Sequence, residues 1–387
     1  MEIKVIMIKD KRVSLLHPFS AKAIGLCEQD VFHSHSKPHE KALLKLQEDG
    51  CKVSIAYFTG NFFPFTKEVN GITKRFWPIT KPLLKKRHGW RKQHSLLHYW
   101  NTKYNPPDVT IINMSGHGSS YCFKLATLLV KKQKPYLVMV GGIHISEDVR
   151  TVAYYQNAHH IIVHTQVQRK QLLQKAGFKN LNIQVMPLGI DTALFIPLEK
   201  NTPIINLLFV GRISRLKQIE LSLEVLAHLL KNQNKNVTLT IVGPISDEGY
   251  FLELKTLAKQ LQVANHVTFT GSIKQKELVP FYQKATLLML PSAHESFGMV
   301  MVEAMACGTP VAALKDSGGP DELIEHAYNG LLTTKEMYAQ NILDFAKSRE
   351  MQSRLSANAR DMVEQKWSLR KTEEALKASI EQVFVTL

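Results

Sequence analysis

The chain has 387 residues, of which 44% are hydrophobic, so it exceeds what one core usually covers and two domains are expected. Its four cysteines show neither a CxxC pair nor regular spacing, which argues against a zinc site or a disulfide framework and favours a reducing compartment. The formal net charge of +16 is uneven, because residues 1–195 hold 28 Lys and Arg against 12 Asp and Glu, whereas residues 196–387 hold 21 of each.

Apolar runs alternate with helical patterns through the first half of the chain. The N-terminal run MEIKVIMIKD predicts a first strand near Ile3 and not a signal peptide, and the segment from Leu15 to Glu40 is interpreted as the following loop. Further strands are predicted at VSIAYF, VTIINM, YLVMVGG and HIIVHT, which begin at Val53, Val109, Tyr136 and His160, and helices at Glu40–Glu48 and Cys122–Lys132. Continuous apolar strands separated by helices predict a parallel sheet covered on both faces.

The same pattern begins again in the second half of the chain. Strands are predicted at INLLFVGR, VTLTIVG, HVTFTG, ATLLMLPS and PVAAL, which begin at Ile205, Val237, His266, Ala285 and Pro310. Two Rossmann-like units in tandem account for this repetition, with the proline-rich segment Met186–Pro203 as the linker. A last helical stretch covers Met351–Phe384. No apolar run reaches the roughly 18 residues that a membrane span requires.

Basic and aromatic residues are interleaved between Lys67 and Lys103. This composition suits an anionic membrane surface, where each cation contributes about 1 kcal/mol. It is also compatible with nucleic acid, or with a solvated loop over an aromatic core. The basic residues are Lys74, Arg75, Lys81, Lys85, Lys86, Arg87, Arg91 and Lys92, and the aromatic ones are Phe76, Trp77, Trp90, Tyr99 and Trp100.

Two carboxylates, Glu295 and Glu303, interrupt the apolar run PSAHESFGMVMVEAMACGTPV. The run predicts a short buried helix over Met299–Cys307, with Gly298 at its start and Gly308 as its stop signal. An unpaired buried carboxylate costs several kcal/mol, so Glu303 needs a permanent partner or a ligand with hydroxyl groups. The helix start is an anion site. Together these features indicate a sugar nucleotide, although a helix-entry acid with a salt-bridged second acid is also compatible.

The segment FVGRISRLK ends the first predicted strand of the second half with a glycine turn and two cations, Arg212 and Lys217. A nucleoside diphosphate leaving group gathers negative charge as the glycosidic bond breaks. A fixed donor aimed at such charge is often worth about two to four kcal/mol.

These motifs resemble those of retaining glycosyltransferases of glycosyltransferase family 4. Glu295 to Glu303 is similar to the family's E-x7-E element, and Gly211 to Lys217 is similar to its GR-x4-K element, except that Gln218 stands where glycine is usual. The resemblance extends from about Met186 to Leu332. It implies an α/β protein of the GT-B fold, with two Rossmann-like domains facing each other across a cleft. We therefore expect an acceptor-binding domain over residues 1–190, a nucleotide-sugar-binding domain over residues 191–365, and a terminal helix over residues 366–387 packing back on the first domain.

The resemblance also implies roles for individual residues. Arg212 and Lys217 would bind the donor diphosphate, Glu295 would orient the sugar and stabilise positive charge near its ring, and Glu303 would accept hydrogen bonds from the ribose. In retaining members the leaving phosphate is thought to take the proton of the acceptor, so a protein nucleophile is not required. No metal or cofactor is expected, because two cations and a helix start neutralise the phosphates and no DxD-type acidic pair is found where one would be required. The remaining donor-binding candidates are Gly211, Gly271, Ser272, Ile273, Ser296, Phe297, Gly298, Met299 and Val300.

The N-terminal half departs further from the family. Many members carry a Gly-Gly loop after the first strand, whereas this chain has only Gly25 there and a histidine-rich end, with His33 and His35 as acceptor candidates. A His-x-His pair can also bind metal, but no third ligand lies nearby in the sequence. Many members also carry a sugar-facing His-Gly after a strand, whereas the segment VMVGGIHIS places His144 after the glycine pair; His144 is the catalytic candidate there. His117 is a second candidate that could face the sugar or the acceptor.

The combined expectation is a cytoplasmic glycosyltransferase that takes a UDP- or GDP-sugar and uses an anionic glycan or lipid of the cell envelope as acceptor. Peripheral association with an acidic inner membrane surface is expected, and no nucleic-acid partner. A GT-B phosphorylase or a nucleotide-sugar hydrolase is the alternative in mechanism, and a nucleic-acid-binding protein using the basic half is a distant one. A dinucleotide-dependent oxidoreductase would require a GxGxxG turn, which neither first strand supplies.

Overall fold

The computed structural model describes residues 8–33, 37–80, 92–113, 119–142, 145–199, 203–233 and 236–385. Its contacts divide the chain into two compact units. Unit 1 comprises the residues up to Pro187 together with those from Leu369 onward, and unit 2 comprises Leu188–Ser368. Within the described ranges, no helix is both long and apolar enough to cross a membrane.

Unit 1 is built on an eight-stranded sheet with the strand order β3-β4-β2-β1-β5-β6-β7-β8. Every neighbouring pair is parallel except β3 and β4, which form an antiparallel hairpin at one edge. The strands are β1 (Arg12–Ser20), β2 (Lys52–Thr59), β3 (Phe65–Val69), β4 (Ile72–Pro78), β5 (Val109–Ile112), β6 (Tyr136–Met139), β7 (His160–Val163) and β8 (Ile183–Val185).

The segment from Leu15 to Ser20, interpreted above as loop, belongs to the central strand β1, so that part of the sequence prediction was wrong. β1 pairs in parallel with β2 on one side and β5 on the other. His17 and Pro18 prevent this strand from being predicted, because a polar ring and a residue without an N–H interrupt the apolar pattern. The structure accommodates both: the ladder is irregular between His17 and Ser20, and the His17 ring stacks on Tyr57 at a centroid distance of 4.5 Å. The strand predicted near Ile3 lies outside the described residues apart from its end.

Helices cover both faces of this sheet because each strand buries side chains on its two sides. One core contains Leu15, Ile55 and Ile111, and the other contains Leu16, Ala56 and Ile112. The α-helices of the first part of unit 1 are α1 (Glu28–His33), α2 (Lys37–Glu48), α3 (Leu96–Tyr104), α4 (Ser120–Lys131), α5 (Val149–Gln156) and α6 (Gln166–Leu173). Of these, α2 and α4 confirm the two predicted helices.

Unit 2 contains an all-parallel six-stranded sheet with the order β11-β10-β9-β12-β13-β14. Its strands are β9 (Ile205–Val210), β10 (Val237–Val242), β11 (Val267–Gly271), β12 (Leu287–Leu290), β13 (Val311–Leu314) and β14 (Gly330–Thr333). The first five confirm the five predicted strands. The α-helices are α7 (Glu220–Gln233), α8 (Glu248–Gln260), α9 (Val279–Lys284), α10 (Met299–Ala306), α11 (Pro320–Leu323), α12 (Tyr338–Lys347) and α13 (Arg349–Lys366).

The last helix, α14 (Leu369–Val385), returns to unit 1. Its residues Leu376, Ile380 and Val383 are buried in the core that β1 and α2 share. The Lys377 ammonium donates a 2.5 Å hydrogen bond to the Asp49 carboxylate at the end of α2. The C-terminal end of the described chain is therefore fixed to the N-terminal unit by both apolar packing and an ion pair.

A buried ion pair joins α2 to β4. The Lys74 side chain is fully buried, and its ammonium donates to the Glu40 carboxylate at 2.7 Å and to the carbonyl oxygens of Phe32 and Val31 at 2.7 and 3.3 Å. Asn70 donates to the other Glu40 oxygen at 3.3 Å. Lys74 therefore does not belong to the exposed basic surface to which its sequence neighbours assigned it.

We predict that Lys74→Ala lowers the free energy of unfolding by about 3–5 kcal/mol, because it leaves the Glu40 carboxylate buried without its cation. Urea unfolding followed by circular dichroism measures the change. Lys45→Ala is the matched control, since the Lys45 ammonium pairs with Glu48 at the exposed surface of the same helix. Equal losses in the two variants would contradict a special role for the buried pair.

Gln218 follows the 3₁₀ turn Arg215–Lys217 with a left-handed backbone, at φ 48° and ψ 46°. This is the position at which the resembled motif usually has glycine. Left-handed backbone costs a residue with a Cβ roughly 1–2 kcal/mol, whereas glycine adopts it freely. Gln218 therefore replaces the usual glycine of the motif while the backbone keeps the left-handed conformation of the turn.

We predict that Gln218→Gly raises the free energy of unfolding by up to about 1 kcal/mol, since the strain it removes exceeds the entropy that glycine loses on folding. Gln262, at φ 58°, offers a matched position of the same residue type after α8, and Gln262→Gly should give a similar gain. Gln218→Ala should give none. A destabilised Gln218→Gly variant in a urea titration would refute this explanation.

Candidate active site

The carboxyl ends of the central strands of unit 2 meet through closely packed backbone. The Gly211 N–H donates to the Val242 carbonyl at 2.9 Å, and the Gly243 N–H donates to the Gly271 carbonyl at 2.9 Å. Gly243 has φ 148°, and a Cβ there would lie only 1.9 Å from the Gly211 oxygen. The absence of a Cβ at Gly243 therefore lets the turns after β9 and β10 approach each other, at the sheet edge where α/β proteins bind ligands.

Two cations follow β9 with different surroundings. The Lys217 ammonium makes a very short contact with the Glu295 carboxylate, and both side chains are nearly buried, with 13% and 12% of their surface exposed. Ser292 donates a 2.8 Å hydrogen bond to the same Glu295 oxygen. Arg212 is exposed and makes no ion pair or side-chain hydrogen bond with any residue in the described ranges. The segment after β9 therefore carries one exposed cation and one paired, nearly buried cation.

The backbone on both sides of Glu295 is fixed to the turn after β13. The Glu295 N–H donates to the Ser317 carbonyl at 2.7 Å, and its carbonyl accepts from the Gly319 N–H at 2.8 Å. A Cβ on Gly318 would lie 2.5 Å from the Glu295 oxygen, and one on Gly319 would lie 2.3 Å from the Phe297 oxygen. Only glycines allow this approach, so the Gly-Gly pair fixes the backbone of the Glu295 loop.

Helix α10 starts directly after this loop, as the sequence predicted. Gly298 is its N-cap, with φ 90°, and no side chain caps the helix there. The N-terminal amide groups of α10 therefore keep the partial positive charge of a helix start. Of the donor candidates in this stretch, Ser296 is exposed, Phe297 is buried, and Met299 and Val300 are half-buried.

Glu303 lies one turn into α10 and is only 4% exposed. The Gln275 amide donates to one carboxylate oxygen at 2.6 Å, and the Tyr282 hydroxyl donates to the other at 2.7 Å. Burial, together with the charge of Glu303, raises the pKa of Tyr282 well above its ordinary value, so the phenol remains a donor at neutral pH. The buried carboxylate has the permanent partners that its apolar surroundings required.

The remaining candidates divide between the two units. Gly271 ends β11 with φ 74°, followed by exposed Ser272 and half-buried Ile273. In unit 1, His33 is exposed at the end of α1. The other three histidine candidates, His35, His117 and His144, lie outside the described residues.

Sequence reasoning missed the residues that orient the two carboxylates. Gln275 and Tyr282 are 28 and 21 residues from Glu303, and Ser317 to Gly319 follow Glu295 by more than twenty positions. The Ser-Gly-Gly-Pro run after β13 signals a turn, but its contact with the Glu295 loop depends on strand order. In the part of the chain that the structure describes, no three His, Cys, Asp or Glu residues form a group that could hold a metal ion.

Comparison with known protein sequences shows similarity over the C-terminal half of the chain. Residues 192–362 match the protein family described as glycosyl transferases group 1. D-inositol 3-phosphate glycosyltransferase of Segniliparus rotundus is 35% identical over 170 residues, which cover 41% of this chain and 38% of that protein. The enzyme of the same name from Acidothermus cellulolyticus is 34% identical over 189 residues, which cover 45% and 42%. The match thus spans less than half the length of these curated relatives.

Solved structures are similar to nearly the whole chain. Sucrose-phosphate synthase from Thermosynechococcus elongatus superposes with a TM-score of 0.73 at 18% identity, covering 97% of this chain and all of that one. HepE from Anabaena, solved with UDP and glucose, superposes with a TM-score of 0.70 at 18% identity, covering 96% and 100%. These similarities confirm the predicted α/β fold of GT-B type. Residues 192–362 thus form a glycosyl transferases group 1 domain, within a chain that has the GT-B fold.

Proposed function

We propose that the chain is a retaining, metal-independent glycosyltransferase of glycosyltransferase family 4, which moves a hexosyl unit from a nucleoside diphosphate sugar to a hydroxyl acceptor. The observation that carries this proposal is the convergence of Lys217, Glu295, the α10 start and Glu303 at one end of the unit 2 sheet. Lys217 and the α10 start match the needs of a diphosphate, Glu295 those of a sugar, and Glu303 those of a ribose.

The proposed chemistry rests on where charge develops. As the glycosidic bond breaks, the diphosphate gains negative charge, which the helix start, exposed Arg212 and Lys217 would stabilise. The Lys217 ammonium has three donors, so its contact with Glu295 leaves capacity for a phosphate oxygen. Glu295 would orient the sugar and stabilise positive charge near its ring. The leaving phosphate would accept the proton of the attacking hydroxyl, and no protein nucleophile enters.

Glu303 is proposed to bind the ribose of the donor. Gln275 and Tyr282 hold the plane of its carboxylate from two elements, which fixes the direction in which its oxygens accept hydrogen bonds. The turn at Gly271, Ser272 and Ile273 would contact the base through backbone groups. A UDP- or GDP-sugar is the proposed donor, and HepE, which shares the fold, binds UDP and glucose.

The acceptor is assigned to unit 1, which carries the excess of positive charge. We propose an anionic glycan or lipid of the cell envelope, with His33, His35 and His117 as candidate contacts, whereas His144 would face the transferred sugar. The cysteine pattern supports a cytoplasmic location, and the same positive charge supports peripheral binding to an acidic membrane surface. Two exposed aromatic residues after β2, Phe62 at 79% and Phe63 at 81% exposure, offer further contacts to a membrane interface. No nucleic-acid partner is proposed.

A GT-B phosphorylase or a nucleotide-sugar hydrolase would use the same donor groups. A phosphorylase requires inorganic phosphate as the second substrate, and a hydrolase requires only water. Product analysis separates the three activities, because transfer to a glycan or lipid, formation of a sugar 1-phosphate and release of free sugar give different compounds.

We predict that thermal shift with UDP-, GDP- and ADP-sugars identifies a stabilising donor, and that Lys217→Ala lowers kcat/KM for this donor about 100- to 1000-fold, the usual loss for one fixed donor to a developing anion. Arg215→Ala is the matched control: Arg215 belongs to the same 3₁₀ turn, but its guanidinium pairs with Glu253 at the exposed surface. It should remain within a few-fold of wild type.

Donor hydrolysis and transfer, followed by chromatography with and without inorganic phosphate, provide the readout. Full activity in Lys217→Ala, with the fold intact by circular dichroism, would exclude the proposed phosphate-binding role.

We also predict that the chain sediments with vesicles containing acidic lipid and not with neutral vesicles, and that 0.5 M salt releases it, because cation–headgroup attraction is screened within a few ångströms at high salt. The double variant Phe62→Ser, Phe63→Ser should reduce the bound fraction at low salt. Equal partitioning to neutral and acidic vesicles would be incompatible with a charge-based membrane contact.

A further inference from the structure

A cavity of about 210 Å³ opens in unit 1 at the amino-terminal ends of β1, β2 and β5, where α3 crosses the sheet. It does not belong to the candidate donor site, which lies in unit 2. Six rise steps of about 3.3 Å separate its floor at Ser14 from the carboxyl end of β1 at Ser20, or about 20 Å. Ligands of open α/β sheets normally bind at the carboxyl edge, so this cavity is also separate from the expected acceptor region of unit 1.

The floor of the cavity is a row of hydroxyl groups. In the parallel register Ser14 lies opposite Ser54 on one side and Thr110 on the other. All three side chains therefore share one face of the sheet. The next row on that face is Leu16, Ala56 and Ile112, which is the ordinary apolar composition of a covered sheet. The change from apolar to hydroxyl side chains occurs where the cavity begins.

These hydroxyl groups are poorly satisfied by the protein. Thr110 is only 3% exposed, and its hydroxyl oxygen has no hydrogen-bond partner within the described ranges. The Ser14 and Ser54 hydroxyl oxygens are 3.5 Å apart, which is at the limit of a hydrogen bond. An unsatisfied buried hydroxyl is unfavourable in a folded protein. A ligand with hydroxyl or phosphoryl oxygens would supply the missing partners.

Three cations line the same cavity, and no carboxylate does so. The Arg12 guanidinium is held by the Asn105 and Pro106 oxygens at 2.5 and 2.6 Å, and Lys52 pairs with Asp10 at 3.2 Å in solvent. Arg75 is exposed, and no described residue pairs with its guanidinium.

The Asp108 carboxylate lies 3.9 Å from the Arg12 guanidinium, but it also pairs with the Lys134 ammonium at 2.9 Å, so its negative charge is shared between two cations. The local balance at the cavity is therefore positive. The guanidinium of Arg75 is the group best placed to pair with an anion that enters from solvent.

We propose that this cavity binds a small phosphorylated sugar, with the phosphoryl group at Arg75 and the sugar hydroxyls on the Thr110, Ser14 and Ser54 row. The volume is smaller than the roughly 300–1,000 Å³ of sites for drug-sized ligands, which suits a monosaccharide. Trp77 and Asn101 complete the wall with an aromatic face and an amide, the groups that contact the apolar and hydroxyl sides of a sugar ring.

Isothermal titration calorimetry of the full chain with glucose 6-phosphate, inorganic phosphate and glucose in parallel tests the proposal. Glucose 6-phosphate should bind saturably and more tightly than either fragment. Arg75→Gln should weaken its binding at least about tenfold, the loss of one charge-assisted hydrogen bond. Thr110→Val should weaken binding several-fold while raising the melting temperature of the free protein, because it removes an unsatisfied hydroxyl. If Thr110 had only a structural role, Thr110→Val would not lower the affinity for glucose 6-phosphate while raising the melting temperature.

Two control variants test whether glucose 6-phosphate binds in this cavity and not elsewhere on the chain. Lys179→Gln removes the same unit of charge from an exposed position of unit 1 outside the cavity, and Lys217→Ala alters the candidate donor site in unit 2. Neither should change the affinity for glucose 6-phosphate. Loss of binding in Lys217→Ala, unchanged affinity in Arg75→Gln, or equal binding of glucose or of inorganic phosphate would each overturn the proposal. Absence of saturable binding at millimolar glucose 6-phosphate would do the same.

Discussion

The contact between Lys217 and Glu295 determines the geometry of the unit 2 site. It joins the turn after β9 to the loop before α10, two segments 78 residues apart in the chain. Because both side chains are nearly buried, neither charge can be removed without leaving the other poorly compensated. The Gly318–Gly319 turn and Ser292 fix the same loop from other directions. This loop leads directly into α10, so its position sets where the helix starts and where the Glu303 carboxylate lies.

Buried charge is handled differently elsewhere in the molecule. Lys74 and Glu40 form a pair whose remaining hydrogen-bonding capacity is directed to backbone carbonyls and Asn70, all within unit 1. Such a closed set stabilises one packing of a helix on a sheet and has no group directed at a ligand. At the unit 2 site, by contrast, Arg212 is exposed and makes no ion pair within the described ranges, and no side chain caps the start of α10. This difference separates a structural ion pair from a candidate binding site.

Much of the fold could be predicted from local pattern alone. The strands at Val53, Val109, Ile205 and Val237 are predominantly apolar runs, as parallel strands covered on both faces require. β1 could not be recognised, because His17 and Pro18 interrupt the apolar pattern, and their accommodation depends on Tyr57 and on an irregular ladder after His17. The β3–β4 hairpin also escaped prediction, since its exposed edge strand carries polar residues.

The candidate site likewise has features that the sequence predicted and features that only the structure revealed. Residue type and spacing predicted Arg212, Lys217, Glu295 and Glu303, because carboxylates within an apolar run and two cations after a glycine turn are conspicuous in the sequence. Strand order and loop packing alone determined that Gln275 and Tyr282 hold Glu303, that Gly319 approaches Phe297, and that Lys74 is buried rather than exposed. Hydrogen bonds and close contacts between distant segments depend on three-dimensional position, which local patterns of hydrophobicity and charge do not encode one residue at a time.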